Sequence, residues 1–177
     1  ALLVEEPEAH LHPQYQNTFF EYLNELQSKG LQVFVTSHSP TITAKSDVNN
    51  ISILQRKQSI IQSFSFDELS EDDYPKESKR HLRKFLDTTK AQLFFANGVL
   101  LVEGVAEAII IPILAKKFLT EKIDLCKSGI ELVNIGGVAF NHFGLLFNND
   151  DERKRLLSKC AIITDSDPKD NGDISDR

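Results

Sequence analysis

The chain has 177 residues, room for one ample domain or two small ones. A formal charge of −6 argues against a protein that coats nucleic acid nonspecifically, but not against a nucleic-acid enzyme whose carboxylates hold metals on phosphate. No apolar run has the length of a membrane span, and no secretory signal stands at the start, so a cytoplasmic setting is expected.

Leu2–Glu5 reads as a short buried strand. Pro13–Lys29 reads as an amphipathic helix with Tyr15, Phe19, Tyr22, Leu23 and Leu26 on one face and Gly30 as its stop. Leu31–Thr36 is a second apolar strand, ending in Ser37-His38-Ser39-Pro40. Strand, helix and strand of these lengths form the βαβ unit of a parallel sheet. No polar cap precedes Leu2, and the chain contains no methionine. It is expected to be a piece of a longer protein.

Ile51–Leu54 and Ile60–Phe66 form an expected hairpin, and the acidic stretch Asp67–Pro75 an expected linker. Lys76–Phe95 reads as one helix with Leu82, Phe85, Leu86 and Leu93 on one side. Lys76, Lys79, Arg80, Arg83 and Lys84 form a basic stripe on another, read as a solvated face ahead of a phosphate-backbone contact. A second α/β unit starts with the strand Val99–Glu103 and the apolar helix Ala106–Phe118, kinked at Pro112. The strand Ile130–Ile135 precedes Gly136-Gly137. Asn141–Phe147 reads as a short helix, Cys160–Thr164 as a third strand, and Asp167–Arg177 as a polar tail. Cys126 and Cys160 lack metal-ligand spacing and read as reduced, buried thiols.

Ligands of open parallel sheets gather at the carboxyl ends of strands. Two such ends carry Glu5-Glu6 and Ser37-His38. An apolar strand ending in two acids suits nucleotide hydrolysis. One acid holds Mg²⁺, largely through water, and the next orients or deprotonates the attacking water. A histidine at the neighbouring strand end can reach the terminal phosphate. Two glutamates alone would as readily be solvated acids at a strand edge. His10, His12 and His38 offer a weaker alternative, a zinc site with no cysteine.

The order LLVEEPEAHLHP, then VFVTSHSP, resembles the C-terminal half of an ABC-type ATPase head. The resemblance implies that Glu5 is the Mg²⁺-side acid of a Walker B strand, Glu6 the catalytic acid and His38 the switch histidine. The family more often has Asp at the first acid. No G-x-x-x-x-G-K-[ST] phosphate loop and no signature segment occurs in the 177 residues, so the chain by itself should bind ATP weakly or not at all.

In VLLVEGVAEA, Glu103 ends a strand, Gly104 makes the turn and Glu107 lies in the first turn of a helix. The glycine permits close backbone approach, and the helix aims its positive end at the same spot. AIITDSDPKD ends another strand in Asp165-x-Asp167. Parallel packing of the two strands would gather four carboxylates, which repel one another unless a cation joins them. All-oxygen ligands favour Mg²⁺ or Mn²⁺ over zinc. Two such ions about 4 Å apart can activate water and stabilise the leaving oxygen of a phosphodiester.

Glu at the first strand, Gly-Gly after the second and Asp-x-Asp at the third resembles the Toprim domain. The second acid of Glu103-Gly104-Val105-Ala106-Glu107, and an ATPase head directly ahead, look like the OLD-family nucleases. LDTTKAQLFFANGVLLVEG resembles that family's domain junction. The expected fold is therefore α/β: the end of an ABC-type ATPase sheet over 1–75, a linking helix over 76–96, and a Rossmann-like, parallel-sheet Toprim domain over 97–177, incomplete at its C-terminus. By resemblance Glu103, Glu107, Asp165 and Asp167 are metal ligands, Glu103, Asp165 and Asp167 the catalytic ones, and Asn134, Gly136 and Gly137 shape the floor. Ser166 has no assigned role, and Lys169 does not stand at the family's lysine position. Glu131, Asp150, Asp151 and Asp173 read as ordinary surface acids.

The resemblance implies an ATP-dependent, metal-dependent DNA endonuclease acting in phage defence or DNA repair. Its partners would be DNA, further copies of itself and a partner defence protein. The alternative is a DNA-binding regulatory ATPase with an inactive Toprim domain. A topoisomerase would need a nucleophilic tyrosine, and Tyr15, Tyr22 and Tyr74 all lie before the second constellation.

Overall fold

A computed structural model describes residues 1–118, 124–137 and 139–165. Asp167, Ser166, Lys169 and Asp173 lie outside the described residues.

β1 (Leu2–Glu5) and β2 (Val33–Thr36) pair parallel, in register from Leu2 opposite Val33 to Glu5 opposite Thr36. The helix α1 (Pro13–Ser28) crosses between them. Pro13 suits the first turn, where an N–H would lack a partner anyway. His12 Nδ1 caps the helix by accepting from Gln14 N at 3.4 Å. Gly30 ends it at φ +89, a backbone that favours glycine. The buried face differs from the expected stripe. Leu23 is buried as expected, but Gln16 is buried too, whereas Tyr15 and Tyr22 face outward. Gln16 is tolerated inside because both ends of its amide are hydrogen-bonded.

The short helix α2 (Pro40–Lys45) follows β2, with Ser39 at its N-cap. β3 (Ser52–Lys57) and β4 (Ile60–Ser65) form the expected hairpin, antiparallel and closed by two residues. The expected single helix over Lys76–Phe95 is two. α3 (Lys76–Phe85) stops at Leu86, and α4 (Thr88–Ala91) starts afresh. Asp87 causes the break. It adopts extended backbone and caps the new helix, its Oδ1 accepting from Lys90 N at 2.8 Å.

β5 (Gly98–Val102) is the centre of a three-stranded parallel sheet in the order β6-β5-β7, with β6 (Ile130–Asn134) and β7 (Lys159–Ile163) flanking it. Val99, Leu101 and Val102 are buried, as the middle strand of a covered sheet requires. α5 (Val105–Phe118) leaves β5 and continues through Pro112; α6 (Phe140–Gly144) precedes β7.

One cluster of buried side chains joins Val48, Phe64, Phe66 and Tyr74 to Leu82, Leu93, Leu101, Val133 and Phe143. The stretch expected as a linker is therefore packed in. Tyr74 is 2% exposed, its hydroxyl donates to His142 O at 2.6 Å, and burial pushes its phenol well above the usual range. Asp73 accepts from Lys154 Nζ at 2.8 Å and from Asn149 at 3.0 Å. Cys126, expected inside, is exposed. Cys160 is half-buried, and desolvation raises its thiol to about 11.

Much of the basic stripe on α3 is occupied at home. Lys76 pairs with Glu71, Arg83 with Asp47 at 3.1 Å, and Lys79 Nζ donates to Phe66 O at 2.7 Å. This favours the solvated-face reading over a phosphate contact.

Candidate functional site

The first site stands where β1 and β2 end side by side. Glu5 is the last residue of β1 and is exposed. Glu6 then takes left-handed backbone, φ 40 and ψ 58, a conformation that costs a non-glycine residue roughly 1 kcal/mol or more. Its N–H still donates to Thr36 O at 2.9 Å, continuing the ladder. The turn brings Glu6 Oε1 within 3.3 Å of His38 Nε2. Both side chains are largely exposed, His38 at 81% and Glu6 at 49%, so the contact adds little stability. It leaves both groups open to a ligand. His10, His12 and His38, the zinc alternative, do not converge on a metal-sized site among the described residues.

A third acid, missed in the sequence, does the tying. Glu8 sits in the 3₁₀ turn Pro7–His10 that follows Glu6. Its Oε1 accepts from Ser37 Oγ at 2.8 Å and from the His38 backbone N–H at 2.5 Å. Its Oε2 is enclosed, with no hydrogen-bond partner among the described residues. From Ser37 the network runs inward. Ser39 N donates to Ser37 Oγ at 2.9 Å, Ser39 Oγ to Gln16 Oε1 at 2.8 Å, and Gln16 Nε2 to Leu11 O at 3.0 Å. The sequence signal was present, a Pro-Glu pair two residues past the paired acids and serines flanking His38. The spacing of some thirty residues hid it.

The second site stands at the carboxyl ends of β5, β6 and β7. The register pairs Val102 with both Asn134 and Ile163, so Glu103 leaves the centre of the sheet flanked by Ile135 and Thr164. Thr164 Oγ1 donates to Glu103 Oε2 at 2.5 Å. A Cβ on Gly104 would lie 3.0 Å from Glu107 Oε2, so the Glu107 carboxylate folds back over the turn beside Glu103. The floor is built by backbone and one side chain, Asn134. Asn134 Oδ1 accepts from Gly136 N at 2.8 Å, Gly137 N donates to Glu103 O at 2.9 Å, and both glycines have positive φ. Asp165 stands exposed one residue past Thr164.

The structure thus brings Glu103 and Glu107 to one turn and places Asp165 on the adjoining strand end. Thr164, not singled out in the sequence, is the side chain that meets Glu103. Among the described residues no three His, Cys, Asp or Glu side chains converge closely enough to hold a metal ion. Glu131 lies back along β6, where burial raises its carboxyl above the ordinary range.

Comparison with known proteins adds to this geometry. Residues 94–167 match the family model "Overcoming lysogenization defect protein-like, TOPRIM domain", and residues 1–44 match "AAA domain, putative AbiEii toxin, Type IV TA system". Old nuclease of Escherichia phage P2 is 28% identical over 164 residues, 92% of this chain and 28% of its own length. Endonuclease GajA of Bacillus cereus (strain HuB5-5) is 29% identical over 93% of this chain and 26% of its own length. OLD nuclease of Thermus scotoductus is 31% identical over 61% of this chain and 21% of its own length. The chain spans about a quarter of the length of the curated relatives it matches.

Proposed function

We infer that this OLD-family chain, the end of an AAA-type ATPase domain joined to an OLD-like Toprim domain, is part of an ATP-dependent, divalent-metal-dependent DNA endonuclease. The observation that carries the reading is the second strand edge. Parallel pairing of β5 with β7 sets Glu103 and the Thr164-Asp165 turn side by side, with Glu107 folded back over Gly104.

The donor set fits a hard cation. Glu103, Glu107, Asp165 and Asp167 offer oxygen only, and the first two stand beside a helix start whose free N–H groups favour negative charge. These four would hold Mg²⁺ or Mn²⁺, which when bound supplies an activated water and charge neutralisation at a phosphodiester. Thr164 orients the Glu103 carboxylate, and the Asn134–Gly137 loop fixes the floor through backbone and the Asn134 side chain.

At the first edge, Glu5 would hold the Mg²⁺ that accompanies ATP, Glu6 would orient or deprotonate the attacking water, and His38 would reach the terminal phosphate. The phosphate loop is not among these 177 residues, so ATP binding belongs to the full-length protein. Division of labour follows the chain: 1–75 for the ATPase head, 76–96 as connection, 97–177 for cutting. Phage defence or DNA repair, self-association, a partner defence protein and a cytoplasmic setting complete the proposal. No helix among the described residues is long and apolar enough to cross a membrane.

One observation favours a second reading, a DNA-binding regulatory ATPase whose Toprim site does not cut. The side chain hydrogen-bonded to the Glu103 carboxylate is Thr164, and among the described residues no three acids, histidines or cysteines converge there. Plasmid cleavage decides between them. The full-length protein should nick supercoiled DNA with Mn²⁺ or Mg²⁺, and Asp165→Ala should abolish nicking while leaving ATP hydrolysis within about twofold. Equal loss of both activities would count against the division of labour, and no nicking by the wild type would favour the second reading.

A further inference from the structure

We propose that Glu8 is a positioning residue of the ATPase site, holding the switch histidine His38 in reach of Glu6; the inference rests on the ATPase reading of that site. Glu6 and His38 are both exposed at their tips, and a 3.3 Å contact between two such side chains cannot fix either one. What fixes the loop bearing His38 is the Glu8 carboxylate. One oxygen takes both the Ser37 hydroxyl and the His38 backbone N–H, at 2.8 and 2.5 Å. Charge-assisted hydrogen bonds of this kind are about twice as strong as neutral ones. Both partners are thirty residues or so from Glu8 in sequence, so the contact joins the turn after β1 to the turn after β2.

The geometry gives the clamp direction as well as strength. Glu8 follows Glu6 by two residues, and Pro7 between them fixes one backbone angle. The clamp is therefore anchored in the same short turn as the proposed catalytic acid. Behind it, Ser37 is held in turn by Ser39, and Ser39 by the buried amide of Gln16. Glu6 and His38 so share one support, and neither acid of the Glu5-Glu6 pair is part of it. A histidine that must find a terminal phosphate gains rate from being held in place beforehand.

The test compares Glu8→Ala, Glu8→Gln and Ser37→Ala in the full-length protein. Initial rates of ATP hydrolysis are measured together with hydrogen exchange of the segment around His38. Glu8→Ala should lower kcat about ten- to a hundredfold, the scale of a charge-assisted hydrogen bond lost, with KM for ATP changed less than about threefold. Exchange of the His38 amide should rise to that of an open loop. Glu8→Gln keeps an oxygen that accepts from the same two donors, and should retain most of both the rate and the protection. Ser37→Ala, which removes the hydroxyl's bonds with Glu8 and with Ser39 N and leaves the His38 amide bound, should fall between.

Wild-type kcat in Glu8→Ala would overturn the inference. So would a Glu8→Gln that keeps the His38 protection and is still as inactive as the alanine variant, which would give the charge a role apart from the clamp. If the wild type hydrolyses no ATP, the ATPase reading fails and the catalytic role of Glu8 fails with it. Hydrogen exchange then still reports separately whether Glu8 holds the loop. Unchanged exchange in Glu8→Ala, at any rate of hydrolysis, overturns the clamp itself.

Discussion

The two strand edges place acidic residues in similar positions and support them differently. At the end of β1 the support is made of side chains. Glu8, Ser37, Ser39 and Gln16 pass hydrogen bonds from one turn to the next, and the sheet beneath is thin, with Leu3 78% and Phe34 52% exposed on its outer face. At the end of β5 the support is mostly backbone, with the Asn134 side chain bracing the Gly136 turn. A covered three-stranded ladder and two glycines in left-handed conformation set the floor, and a single side-chain bond, from Thr164, reaches the Glu103 carboxylate. Glu8, bonded on one oxygen, serves to hold a loop. Carboxylates left largely free at a strand end keep their lone pairs for something from outside. On the proposed reading, the contrast separates acids that position from acids that would bind.

If the second edge is held by its ladder, the deepest wound comes from the sheet. Leu101 is fully buried in β5, the central strand of the sheet, and Leu101→Ala should cost about 2–5 kcal/mol in denaturant unfolding. Thr164→Val is a finer cut at the same place. It keeps the shape and removes the hydroxyl on Glu103, so unfolding should barely move while Mn²⁺ affinity, read by titration calorimetry, falls about tenfold or more. Unchanged affinity would mean that the ladder alone orients Glu103. If the first edge is held by side chains, a small polar deletion there should weaken the fold. Ser39→Ala removes the α2 cap and orphans the buried Gln16 amide oxygen, at about 1–3 kcal/mol in the same unfolding assay. A neutral Ser39→Ala would erase the contrast between the two edges.

The strand ends were legible because apolar runs of four to six residues, closed by charged or glycine-rich turns, leave few places to put them. The parallel pairings then follow from the intervening helices. What escaped was polar and long-range. Gln16 took an inward place that hydropathy reserves for Tyr15 or Tyr22, because its amide is bonded at both ends. Asp87 broke a helix whose apolar spacing ran straight through it, because a capping carboxylate outweighs periodicity. Glu8 and Thr164 each bond a residue about thirty or sixty positions away, and no local pattern marks such a pair. The Asp67–Pro75 stretch looked like solvent-facing chain because five of its nine residues are acidic. Its one aromatic, Tyr74, decides its place.

That stretch gives the mildest test of how far side-chain bonds, as opposed to ladders, hold this molecule together. Asp73 accepts from Lys154, Ser70 and Asn149, and the bond from Lys154 does most to hold its carboxyl well below the usual carboxylate range. A carboxyl depressed in the folded state contributes stability that is complete above its unfolded value, near 3.8, and is lost as pH falls toward the folded one. The wild type should therefore lose unfolding free energy on acidification below about pH 4, and Asp73→Asn should lose less over the same interval. Above pH 5 the variant should be the less stable of the two, since the ion pair with Lys154 is gone. Parallel pH profiles for the two proteins would show that this pair binds nothing together, and that Tyr74 alone anchors the stretch to the core.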